Sequence, residues 1–129
     1  ASFGFSPATR AEGVTPAADP HLPQPLWFKD YAVDVEQADP DSMLALYRAA
    51  LAIRQESLTA TRDTTAEQVD MGDDVVAYTR AAVGGRVFTS ITNFGNAPVA
   101  LPDGSVVLAS GPLTPEGQLP TDTSAWVIK

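Results

Sequence analysis

The sequence has no cysteine, one histidine, half as many basic as acidic residues and no long apolar run. Without cysteine there is no disulfide framework, no thiol nucleophile and no thiolate zinc site, although the redox compartment stays open. A catalytic transition-metal site generally needs two or more imidazoles when thiolates are missing, and His21 stands alone. A Ser-His-Asp arrangement is allowed by counting alone. No Gly-x-Ser-x-Gly turn supports it, and His21, between Pro20 and Leu22, reads as a surface or packed residue. The eight bases (Arg10, Lys29, Arg48, Arg54, Arg62, Arg80, Arg86 and Lys129) are scattered singly in a chain of net charge −8, so no basic patch marks a nucleic-acid partner. No Gly-rich loop followed by Lys and Ser/Thr is present to cradle phosphate. No apolar stretch approaches the roughly 18 residues of a membrane span, and residues 1–25 lack the basic start and apolar centre of a secretory signal. A soluble chain is expected, and the start at Ala1 without an initiator Met suggests part of a longer protein.

What is present falls into three regimes within 129 residues, one domain's worth of material. Residues 1–41 hold six of the eleven prolines and seven acids, so neither a helix nor a central strand runs far there. Forty residues of loop are improbable in a compact domain unless they have work to do. Phe3, Phe5, Trp27, Phe28 and Tyr31 are half of all the aromatic residues, which argues against a disordered linker and for a loop lying on a surface. Within it, the alternation in AVDVEQ predicts a short edge strand with Asp34 and Glu36 facing water.

Residues 39–58 predict the one long helix. Asp39 fits the N-cap, Pro40 the first helical position and Asp41 the first turn. Two apolar rows, Leu44/Tyr47/Leu51/Leu58 and Met43/Leu46/Ala50/Ile53, cover more than half the circumference. Such a helix needs a packing partner on each of two sides, and the short C-terminal segment can be only one of them.

From Glu67 the period changes to two. Val75–Arg80 and Arg86–Phe94 read as a hairpin around Gly84-Gly85, and further short runs at Val99–Leu101, Val106–Ala109 and Ala125–Ile128 complete a small antiparallel sandwich or open barrel. A domain of this size buries only about 60% of its unfolded surface, so a neighbour would help it. Asp70, Asp73 and Asp74 sit at the wrong spacing for an EF-type calcium loop, and Gly72-Asp73-Asp74 reads as a turn before a strand.

The order of these segments carries a resemblance. SFGFSP (2–7), LPQPLWFKDYAVDVEQ (22–37), ADPDSMLALYRAALAIRQ (38–55), GDDVVAYTR (72–80) and a β-domain ending in TSAWVIK resemble the C-terminal part of α-glucosidases of the α-amylase-type glycoside hydrolase family, the group that includes oligo-1,6-glucosidases and trehalulose-type isomerases. The most specific stretch runs from LPQP to AIRQ; the β-domain matches in pattern only. The resemblance implies a mainly β chain: a proline-rich loop and the last helix of a (β/α)8 barrel (1–58, with loop 1–38 and helix 39–58), then a small antiparallel β-sandwich domain (59–129). It also implies retaining hydrolysis in the parent by an aspartate nucleophile, a glutamate acid/base and a stabilising aspartate, which follow earlier barrel strands. All three would lie upstream of Ala1. No Asp or Glu of this chain is therefore assigned a catalytic role, and no cofactor or metal is implied. Phe3, Phe5 and the loop around them are candidates for outer substrate subsites, with packing as the competing reading. The implied partner is the missing N-terminal barrel of the same protein, the oligosaccharide is met only through the parent, and the implied location is the cytoplasm. Maltose, isomalto-oligosaccharides, sucrose and trehalose all remain open as substrates. The competing reading of the whole chain is a free-standing β-sandwich module binding carbohydrate or a protein.

Overall fold

In the computed structural model, residues 25–62 and 64–129 are described. The chain divides into two compact units, Ala1–Arg48 and Ala49–Lys129, with the division falling inside its long helix.

In the first unit, Pro25 leads into a 3-10 helix, Leu26–Tyr31, and α1 follows at Val33–Ala38. α1 corrects the edge strand expected for AVDVEQ. The partly buried positions Val33 and Glu36 are three apart, a helical spacing. Asp34 and Glu36 lie in the first turn, where carboxylates meet the positive end of the helix. The start of the long helix moves as well: α2 runs Met43–Leu58, and its cap is Ser42 rather than Asp39. Ser42 Oγ accepts from Ala45 N at 3.2 Å and donates to the Glu36 carbonyl at 2.6 Å, so one hydroxyl serves the end of α1 and the start of α2. Asp39 instead builds the turn between them, where its Oδ1 accepts from Asp41 N and its carbonyl from Ser42 N.

The second unit is a five-stranded antiparallel sheet in the order β1-β2-β3-β5-β4, formed by β1 Glu67–Val69, β2 Val75–Ala81, β3 Val87–Asn93, β4 Ser105–Ala109 and β5 Thr123–Ile128. β2 and β3 are the expected hairpin. Gly84 and Gly85, at φ 78° and 74°, take the left-handed conformations its loop needs. Val99–Leu101, read as a strand, contributes only the bridge between Val99 and Leu119.

Both sheet faces carry apolar clusters. On one, Val75, Ala77, Ile91 and Ala125 pack with Leu119, and Val69, Met71, Val99, Leu101, Ala109 and Leu113 surround them. On the other, Ala82, Phe88 and Ile128 pack with Val107, Trp126 and two residues from the end of α2, Ile53 and Leu58. The helix end is fastened there through Thr61, which donates to the Leu58 carbonyl at 2.7 Å and accepts from Arg80 Nη2 at 3.3 Å. Among the described residues the chain is thus mainly antiparallel β with few helices.

Candidate functional site

Phe3, Phe5 and His21 lie outside the described residues. The acidic triplet behaves as a turn: Asp70 Oδ1 accepts from Gly72 N at 3.1 Å, Gly72 takes φ 110°, and the Asp74 carbonyl accepts from Phe94 N at 2.8 Å. Among the described residues no three His, Asp or Glu side chains gather as metal ligands. Asp34 and Glu36 sit in the first turn of α1.

What the described residues do offer is apolar surface. In the first unit, Trp27 meets Phe28 edge-on at 4.5 Å between ring centroids and Tyr31 at 5.9 Å, with Trp27 and Tyr31 exposed. All three rings are carried by the single 3-10 turn Leu26–Tyr31. Along α2, Met43, Tyr47 and Leu51 follow at intervals of four and are 58%, 63% and 59% exposed. Leu46, Ala50 and Ile53, from the second row, are partly buried, and Ser57 is fully so. Leu44 and Leu58 of the first row are partly buried as well, so neither row is bare throughout, and the exposed apolar strip Met43, Tyr47 and Leu51 takes residues from both.

Two residues that organise the unit were missed. Asn93 is fully buried at the end of β3, where its Nδ2 donates to the carbonyls of Ala97 (2.9 Å) and Leu119 (3.1 Å) and its Oδ1 accepts from Gly95 N (2.9 Å). Its only local signal is the Asn-Phe-Gly-Asn turn composition. Ser42 was passed over because Asp39-Pro40 satisfies the same capping pattern three residues earlier.

A long helix with an exposed apolar strip, followed by a small antiparallel sheet, fits the C-terminal part of an α-amylase-type glycoside hydrolase. The particular proteins it is similar to are trehalulose and isomaltulose synthases. Trehalulose synthase MutB from Pseudomonas mesoacidophila MX-45 shares 26% identity over 85% of this chain, with a TM-score of 0.64. A mutant of MutB in crystals soaked with trehalulose gives 25% identity over 88% and a TM-score of 0.66. Isomaltulose synthase SmuA from Protaminobacter rubrum matches in fold at 22% identity over 87%, again with a TM-score of 0.66. The chain spans only about 22% of the length of each. No family model and no curated relative matches it.

Proposed function

We propose that this chain is the C-terminal part of an enzyme acting on α-glucosidic bonds of small oligosaccharides, and that its own role is to complete and support the catalytic barrel without supplying a catalytic carboxylate. The observation that carries this reading is the exposed apolar strip Met43, Tyr47 and Leu51 on a helix whose adjoining apolar positions Leu46, Ala50 and Ile53 are partly buried. A free-standing module would cover such a strip within itself or in an oligomer. A chain cut from a larger body leaves it uncovered, and the likeness to MutB extends across helix and sheet together. The barrel would supply the cover, and the acid/base pair and nucleophile with it; in such sites two carboxyl groups about 5–5.5 Å apart carry out retaining chemistry.

The reading is tested by assaying the purified 129-residue chain and its full-length parent against an aryl α-glucoside and sucrose. The parent turns over at least one of them, and the chain, which binds a hydrophobic dye through its exposed apolar strip, turns over neither. Turnover by the chain alone, abolished by substitution of one of its own carboxylates, overturns the proposal.

A further inference from the structure

Asp103-Gly104, in the bend that leads into β4, is the only Asp-Gly pair of the sequence, and no Asn-Gly pair is present. An aspartate followed by glycine is open to attack on its own side chain, because a following residue without Cβ turns freely and leaves the path from its nitrogen to Cγ unhindered. The surroundings of Asp103 allow that attack. Its side chain is 88% exposed, and its partner, Lys129 Nζ at 3.1 Å from Oδ2, is largely exposed as well. Gly104 takes φ 140° and precedes β4, whose pairing with β5 begins at Ser105 and Ile128, so its N–H lies ahead of the ladder.

Two other described aspartates precede small hydroxyl residues, and the fold holds both. After Asp41, the N–H of buried Ser42 donates to the Asp39 carbonyl at 3.2 Å. After Asp122, Thr123 is β-branched, buried and already the first residue of β5.

We propose that Asp103 is a modification site at which the chain converts its own aspartate to isoaspartate, with water as the only co-reactant, and that this change releases β4 from β5. The Gly104 nitrogen attacks Cγ of Asp103. A Cγ–N bond forms, a Cγ–Oδ bond breaks, and the oxygen leaves as water with the amide proton and one proton from solvent. A second water then adds to the main-chain carbonyl of the five-membered ring and breaks its bond to nitrogen, returning one proton to that nitrogen and one to solvent. The former main-chain carbonyl becomes a free carboxylate, and the chain now runs through Cβ and Cγ.

The main chain is thereby one carbon longer at a point with no slack. A methyl group on Gly104 would already lie 2.7 Å from the Ile128 carbonyl oxygen and 2.8 Å from Val127 Cγ1. β4 is an edge strand with β5 as its one neighbour, and its register shifts between Val106 and Leu108. Val107 packs with Phe88 and Ile128, so a strand that lifts here uncovers part of that apolar cluster.

The test ages the purified protein in warm, neutral buffer made with heavy-oxygen water and maps its peptides by mass spectrometry. Heavy oxygen and isoaspartate appear at Asp103 and at neither Asp41 nor Asp122, with a transient species short of one water. Asp103→Asn acquires isoaspartate at this position faster, because ammonia leaves in place of water, and Asp103→Glu acquires no isomerised residue there. Amide exchange of residues 105–109 quickens in the aged protein and stays unchanged in aged Asp103→Glu. Absence of isoaspartate at Asp103 from the folded protein, whether or not the urea-unfolded protein acquires it, refutes the modification. Isoaspartate at Asp103 with amide exchange of β4 unaltered refutes the release of the strand.

Discussion

Replacing Asn93 with alanine removes three hydrogen bonds at once from a fully buried position. Each such bond contributes about 1 kcal/mol net, so the loss comes to about 3 kcal/mol. The groups left behind are the carbonyls of Ala97 and Leu119 and the N–H of Gly95, and the first two hold the segment that lays Leu119 over the sheet. For a domain of this size, 3 kcal/mol lowers the melting temperature by roughly 12–24 °C. Urea unfolding followed by tryptophan fluorescence, with calorimetry beside it, measures both quantities. Asn93→Asp adds a second diagnostic. A carboxylate there faces two carbonyl oxygens, and burial raises the pKa of the introduced group above its unfolded value of about 3.9. Between the unfolded and the raised folded pKa the native state binds more protons, so the stability of this variant falls as pH rises through that window and the penalty is complete above the folded pKa. A loss below about 1 kcal/mol for Asn93→Ala, or an Asn93→Asp variant whose deficit relative to the unsubstituted chain is the same at pH 4 and pH 7, would refute the assignment of Asn93 as the residue that holds β3 to Leu119.

Gly104 has φ 140°, and a methyl group there would sit 2.7 Å from the Ile128 carbonyl oxygen, so Gly104→Ala shifts β4 off β5 and destabilises the sheet by about 1–3 kcal/mol in the same unfolding assay. Ser42→Ala removes the cap of α2 and the bond to the Glu36 carbonyl, costing about 1 kcal/mol and lowering the helical circular dichroism signal at 222 nm. By contrast, Asp103→Asn breaks the Lys129–Asp103 ion pair of 3.1 Å with little consequence, below about 0.5 kcal/mol, because both side chains are largely exposed.

The parts of the fold legible in the sequence are those written in local periodicity. The β2–β3 hairpin follows from β-branched runs around Gly84-Gly85, and α2 from its apolar spacing. Its first turn was misplaced because Asp39-Pro40-Asp41-Ser42 offers two capping residues, and only the acceptor at Glu36 selects Ser42. VDVEQ reads as a strand by alternation, yet among the described residues no strand pairs with it, and its acids favour a helix start. Strand order lies beyond local reading: β5 pairs with β3 and β4 on either side, so β4 is displaced to the edge by a partner about twenty residues further on. Asn93 has the same character, since its acceptor at Leu119 is 26 residues away. Of the candidate surfaces, both rows of α2 are visible as apolar, but the exposed strip Met43, Tyr47 and Leu51 cuts across the two, which is a property of packing.

The central claim, that this chain is the supporting end of a larger glycoside hydrolase, is tested most directly by the intact mass of the native protein, captured from its source with an antibody raised against residues 25–129. The account predicts a single polypeptide several times the 13.6 kDa of this chain, whose preparation cleaves or rearranges an α-glucoside. A native species of 13.6 kDa, monomeric, binding no hydrophobic dye and present without any longer form, would contradict it.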